Sequence, residues 1–284
     1  MTSPKLSKFA FFGTDEFAVA VLRELAAQGV RPELIVTTPD ARQGRGLVLT
    51  PPPVKLWAEE NKIPFLQPID LKSESLKLAS SASKLFLLAS YGKIIPREVL
   101  TIPEFGILNI HPSLLPKYRG STPIQSAILA GEVETGVTLM LMDEQVDHGP
   151  ILKAKGYPPR RRAGKLKATS FLAARDELAK LGAQLFVETA PDYLAGKLKP
   201  EPQDHDQATF TKKIKKEDGL IKLDDDPELN YRKFLAYHPW PGTYYFTPSG
   251  KRVKVTLATL EDGQFVIKKI IPEGKREMPY EVRA

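Results

Sequence analysis

The sequence contains no cysteine. Disulfides, thiolate metal sites and cysteine nucleophiles are therefore excluded, and the composition fits a reducing, cytoplasmic setting. Histidine is scarce too, with four in 284 residues. They show no metal-ligand spacing, so no metal is expected. No apolar run approaches the length of a membrane span, and the segment Met1–Lys8 leads straight into a short apolar strand rather than into a secretory signal. A membrane partner is therefore not expected. The first strand is not followed by GxGxxG, so the dinucleotide fingerprint is missing. There are no internal repeats.

What is present is enough apolar residue, 42%, to build one large or two modest cores. The formal net charge is +7. From Thr211 onward there are 15 Lys+Arg against 11 Asp+Glu, a net +4, while the preceding 210 residues carry only +3. A mildly basic C-terminal region suits a polyanion such as RNA, or merely solubility.

The N-terminal part alternates strands and helices. Lys8–Gly13 reads as a buried strand, Asp15 as a helix cap, Phe17–Gln28 as a helix with Gly29 as its stop, and Glu33–Thr38 as the next strand. This βαβ opening calls for a parallel sheet. Lys84–Ser90 is a continuous apolar run, as in a strand covered on both faces. Pro39–Pro53 is basic, glycine-bearing and without periodicity, far longer than the usual strand-to-helix connection of about 2–6 residues. It is expected to be a mobile loop that orders on binding. Further along, Thr122–Ala130 reads as a helix, Thr135–Met142 and Ile151–Tyr157 as strands, and Thr169–Thr189 as a helix. The polar, proline-rich Lys197–Asp206 marks a linker. Short alternating strands then follow, separated by turn signals at Pro248–Gly250 and Glu261–Gly263, with one helix at Pro227–Tyr237. The expected fold is α/β. A Rossmann-like, mostly parallel sheet domain (1–196) and a linker (197–210) precede a small OB-like β-barrel (211–284).

The stretch Gly106–Gly120 is the most informative. As a strand, Gly106–His111 sets Ile107, Asn109 and His111 on one face and Leu108 and Ile110 on the other. Pro112 takes the chain out of the sheet. An amide and an imidazole at the carboxyl end of a strand form a candidate reaction centre. The plainer reading is a histidine capping a strand end. The acidic loop Met142–Gly149 favours the first. Asp147 lies 36 residues beyond His111, after one helix and one strand, and a right-handed parallel unit would return it to the same sheet edge. Asp143 is the rival carboxylate, or a turn cap. His148 reads as an exposed loop residue, His205 as part of the linker, and His238 as structural.

Several motifs occur in order: Gly13-Thr-Asp-Glu-Phe17, Gly44-Arg-Gly46, Tyr91-Gly-Lys-Ile-Ile-Pro96, Asn109-Ile-His-Pro-Ser-Leu-Leu-Pro-Lys-Tyr-Arg-Gly120, Glu134–Val137, Met142-Asp143, Asp147-His-Gly149, Pro191–Gly196, Pro202-Gln203 and Pro239-Trp-Pro-Gly242. Together they resemble the methionyl-tRNA formyltransferase family of folate-dependent formyltransferases over nearly the whole chain. His148 and Pro112 stand where that family has Thr and Gly. The resemblance implies transfer of a formyl group from 10-formyltetrahydrofolate, a co-substrate, to the amine of initiator methionyl-tRNA. Such acyl transfer needs an oxyanion donor and a group to manage a proton. By resemblance, Asn109, His111 and Asp147 are the catalytic residues. Ser113, Leu114, Leu115, Pro116, Tyr91, Gly92, Ile94, Ile95, Val137 and Asp143 would surround the folate. Arg42 and Arg45 would meet the tRNA acceptor stem, and Lys212, Lys213, Lys215 and Lys216 its phosphates. A monomer is expected. Two alternatives stay open: a small-molecule formyltransferase acting on an amino sugar or glycinamide ribonucleotide, and an RNA-binding module that has lost its chemistry.

Overall fold

The computed structural model describes residues 8–44, 46–157 and 169–281. Arg45 and the basic connector Arg160–Lys167 lie outside the described residues. In chain order the elements begin with β1 (Phe9–Gly13), α1 (Glu16–Ala27), β2 (Leu34–Val36), β3 (Ala41–Gln43), β4 (Val48–Thr50), α2 (Pro53–Glu60) and β5 (Phe65–Leu66). There follow α3 (Ser75–Ala79), β6 (Leu85–Ala89), α4 (Arg97–Leu100), β7 (Ile107–His111), α5 (Pro123–Ala130), β8 (Thr135–Leu141), β9 (Ile151–Tyr157) and α6 (Phe171–Leu194). The C-terminal elements are α7 (Pro227–Tyr237), β10 (Thr243–Phe246), β11 (Arg252–Glu261), β12 (Gln264–Pro272) and β13 (Met278–Pro279). No helix among the described residues is long and apolar enough to cross a membrane.

The chain separates into two compact units. The first comprises Met1–Gly120, Gly136–Tyr157 and Arg175–Phe210; the second comprises Ser121–Thr135, Pro158–Ala174 and Thr211–Ala284. The first holds a seven-stranded sheet in the order β5-β2-β1-β6-β7-β8-β9. Its central strands β1 and β6 are continuous apolar runs because both faces are covered. On one face, the Phe186 ring of α6 lies 5.4 Å from that of Phe9, and Gly182 lets the helix backbone approach Ile110 and Val137. On the other face, Ala10, Phe12, Val36, Phe86, Leu88 and Ile107 pack with Leu78 and Val99. Asp15 caps α1 by accepting from the backbone N–H groups of Phe17 and Ala18, as its residue type predicts.

Two expectations change here. The β1-β2, β1-β6 and β6-β7 pairs are parallel, but β8 runs antiparallel to β7, with Asn109 opposite Met140 and His111 opposite Thr138. The chain between β7 and β8 is therefore not a parallel crossover, and α5 belongs to the second unit. Its length fits either connection, so spacing alone did not decide. The segment Pro39–Pro53 contains the hairpin β3-β4, with Arg42 opposite Leu49 and the Arg42 guanidinium donating to the Leu47 carbonyl at 3.2 Å. Leu47, Val48 and Leu49 on it are exposed.

In the second unit, β10-β11-β12-β13 form an antiparallel sheet, and Leu220 makes a parallel bridge to Tyr244 on its edge. Ile221, Val253, Val255, Ala258, Ile267 and Ile270 form its core, with Phe234 of α7 packed on it. The β11-β12 turn has Asp262 at φ 49° and Gly263 at φ 76°, the left-handed pair that a tight hairpin needs. This is the small antiparallel β domain expected at the C-terminal end.

Candidate active site

The reaction centre is built on β7. Alternation places Asn109 and His111 on the same face as Ile107, and both are almost fully buried, at 6% and 4% exposure. β8 leaves the sheet beside Leu108, at the far end of β7 from His111. The loop 142–150 then turns back along the sheet. Its ends are pinned by Met142 N–H donating to the Ile107 carbonyl at 2.8 Å and Leu141 N–H to the Pro150 carbonyl at 2.9 Å. Asp147 thus reaches His111 from a returning loop rather than from a strand end. Gly149 allows this turn, since a Cβ there would run into the Leu141 carbonyl. Asp147 itself has φ 49°, a left-handed conformation that Asp tolerates better than most residues.

The Asp147 carboxylate collects three groups. Oδ2 accepts from the Gly120 N–H at 2.7 Å. Oδ1 accepts from the Asn109 amide at 3.3 Å and lies 3.5 Å from His111 Nδ1. On the other side of the ring, His111 Nε2 is 3.0 Å from the Tyr118 carbonyl. Both nitrogens of the imidazole therefore face oxygens, and the Asn109 amide keeps one hydrogen uncommitted.

Asp143 turns elsewhere. It caps the loop by accepting from Gln145 N–H at 2.9 Å and meets His148 Nδ1 at 2.6 Å. His148 is not the exposed loop residue expected. It is half-buried, and its ring stacks on that of His205 at 4.0 Å and 4°. Residues 203–205, read as linker, lie behind the loop that carries Asp147: Gln203 donates to that loop, and Arg119 in turn holds Gln203 and His205. Gln203 and Arg119 both fall within motifs of the sequence, but sequence reasoning gave neither a role.

The residues grouped around the folate divide by burial. Ser113 is fully buried and its hydroxyl donates to the Lys117 carbonyl at 2.6 Å. Thr138 locks the same turn by donating to the Ser113 carbonyl at 2.7 Å and accepting from Leu115 N–H at 3.1 Å. Leu115, Val137, Tyr91 and Ile95 are core residues, so they offer a ligand only their backbone. Burial pushes the Tyr91 hydroxyl up to about 12. Leu114 and Pro116 are half-buried, Gly92 is exposed, and Ile94 is 83% exposed. The turn carrying Ile94 adjoins the loop carrying Asp147, as the Arg97–Glu144 ion pair at 3.4 Å records. Arg42, Lys212, Lys213, Lys215 and Lys216 are all exposed. Among the described residues no cluster of His, Asp and Glu could hold a metal ion.

The sequence pattern of the formyl transferase family matches residues 7–158. A methionyl-tRNA formyltransferase of Chloroflexus aurantiacus is 46% identical over 243 residues, which is 84% of this chain and 76% of that protein. The chain belongs to the methionyl-tRNA formyltransferase family. The Thermus thermophilus family member is 39% identical over 272 residues, 94% of this chain and 86% of its own. Among solved structures, HypX from Aquifex aeolicus in complex with tetrahydrofolic acid aligns with a TM-score of 0.67 at 19% identity, covering 96% of this chain and 46% of that one. That likeness concerns the fold. As a family member the chain is a formyltransferase, and the matched residues include all of β7 and the loop that returns Asp147 to it.

Proposed function

We propose that the protein transfers the formyl group of 10-formyltetrahydrofolate to the α-amino group of initiator methionyl-tRNA, with Asn109, His111 and Asp147 as its catalytic residues. The observation that carries this reading is the single carboxylate of Asp147, within 3.5 Å of both an amide and an imidazole nitrogen. In the reaction an amine attacks the formyl carbon, negative charge builds on the formyl oxygen, and the amine nitrogen sheds a proton; as the oxyanion collapses, the bond from the formyl carbon to the folate nitrogen breaks, that nitrogen takes up a proton, and tetrahydrofolate leaves. The Asn109 amide gives one hydrogen to Asp147 and directs the other at the oxyanion. His111 donates from Nε2 to the Tyr118 carbonyl, a tautomer assigned from the hydrogen-bond network. Nδ1 is then free to take the amine proton. Asp147 stabilises the imidazolium that results without itself being protonated.

Formylated folate supplies the activated one-carbon unit. Its flat ring, apolar on its faces and polar at its edge, suits exposed Ile94 with the turn backbone of Gly92 and Pro96 and the neighbouring loop. For the tRNA, the exposed Arg42 on the β3-β4 hairpin and the lysines at 212, 213, 215 and 216 offer phosphate contacts. Small-molecule acceptors such as amino sugars need neither this hairpin nor the second unit. The deciding experiment mixes purified protein, 10-formyltetrahydrofolate and methionyl-tRNA and looks for N-formyl-methionine. Formation of it, with no product from amino-sugar nucleotides, supports the reading. Product from the sugar alone overturns it.

A further inference from the structure

The geometry points to Gln203 as a positioning residue for Asp147, with Arg119 and His205 holding Gln203 in turn. This inference rests on the catalytic role proposed for Asp147. Gln203 is 6% exposed, and its side-chain amide uses both hydrogens on the returning loop. It donates to the Asp147 carbonyl at 2.9 Å and to the Gly149 carbonyl at 2.7 Å. Its Oε1 accepts from Arg119 Nη2 at 2.7 Å. A flipped amide would set Oε1 against two carbonyl oxygens and the NH₂ against a guanidinium, so the network admits one orientation. The residue whose backbone it grips holds a left-handed φ, a conformation that persists only where its surroundings impose it.

Arg119 is itself 3% exposed. The same Nη2 reaches His205 Nδ1 at 2.8 Å, where the guanidinium donates and Nδ1 accepts. The groups around His205 are Arg119, the stacked His148 with its partner Asp143, and Asp204 and Asp206 on its own segment. Arg119 also precedes Gly120, whose N–H holds the Asp147 carboxylate. One short segment therefore grips the carboxylate directly through Gly120, and its loop backbone indirectly through Arg119 and Gln203. Gln203 touches no reacting atom. It sets where the carboxylate stands relative to His111.

The test compares Gln203→Leu and Gln203→Glu with the wild type, alone and combined with Asp147→Asn. Gln203→Glu keeps the oxygen for Arg119 but faces the loop carbonyls with a second oxygen, and it serves where the leucine variant does not fold. Single-turnover formylation of methionyl-tRNA at saturating folate should fall by about 10²-fold, the scale for a displacement of about 1 Å, with both KM values within about threefold. In the Asp147→Asn background the same change should cost less than about threefold, because its effect runs through Asp147. Full multiplicative losses, or an unchanged rate in Gln203→Glu, overturn the proposal. The nitrogen and proton NMR shifts of the His111 ring at fixed pH give a readout independent of turnover. In Gln203→Glu they should move toward those of Asp147→Asn, and unmoved shifts overturn the proposal even if the wild type formylates no tRNA, an outcome that counts against the activity reading alone.

Discussion

Replacing Asp147 with asparagine isolates the charge of the carboxylate from its shape. Asparagine tolerates the φ of 49° at this position, whereas alanine there carries a strain of about 1–2 kcal/mol that would confuse the result. The asparagine oxygen can still accept from Gly120 N–H. Its NH₂ must then face the Asn109 amide, a donor against a donor. The carboxylate lies 3.5 Å from Nδ1, and both side chains are largely buried, at 13% and 5% exposure. At an effective dielectric constant of about 20, two unit charges at that separation attract by about 5 kcal/mol. At about 1.4 kcal/mol per decade, an imidazolium fully formed in the transition state loses about three and a half decades of rate. The loss should appear in kcat, measured by single-turnover formylation at saturating substrates, with KM within about threefold. Stability should fall by about 1–2 kcal/mol, the scale for one mismatched buried hydrogen bond. A kcat within about threefold of wild type in a folded variant would refute the charge argument and leave His111 to work without Asp147.

Three further changes test the surroundings of the site. Gly149→Ala drives a methyl group into the Leu141 carbonyl, so the loop must shift. Activity should drop about 10²-fold and urea unfolding should show a loss of about 1–3 kcal/mol; a loop that accepts the methyl with full activity would contradict the packing described. The Tyr91 hydroxyl is buried with no hydrogen-bond partner among the described residues. Tyr91→Phe should therefore keep activity and match or exceed wild-type stability, by up to about 1 kcal/mol, and a loss of that size would instead expose a missed partner. Asp40 accepts from Gln67 at 2.7 Å and Lys55 at 2.8 Å, bonds that hold its carboxyl below the usual range. A depressed carboxyl contributes above its unfolded pKa, and that contribution fades as pH falls through the folded value, below about pH 4. The stability gap between wild type and Asp40→Asn should be present near pH 6 and gone near pH 2; a gap that does not change with pH would remove the carboxyl from that role.

How legible these features were in the sequence depended on how local their causes are. The pairing of Asn109 with His111 on one face follows from strand alternation, and the cap at Asp15 from one hydrogen-bonding side chain, so both could be read from a few consecutive residues. The helices α3 and α4 have five and four residues, fewer than a periodic pattern needs to declare itself. The direction of β8 was hidden because nothing in the 23 residues between His111 and Thr135 distinguishes a crossover from a return through a second unit. Asp147 was reached by resemblance, and the route to it differs from the one that spacing suggested. Gln203 is the plainest case. It sits among Pro200, Pro202, Asp204 and Asp206, a composition that reads as linker, yet its partners are 54 and 56 residues earlier in the chain. A polar side chain with distant partners leaves no periodic or compositional trace, because composition records what a segment cannot bury and not which backbone its one amide will hold. The part of a reaction centre that performs chemistry is confined to few residue types and so can be guessed. The part that holds it in place is free to use any donor that arrives, and only the folded chain reveals which one did.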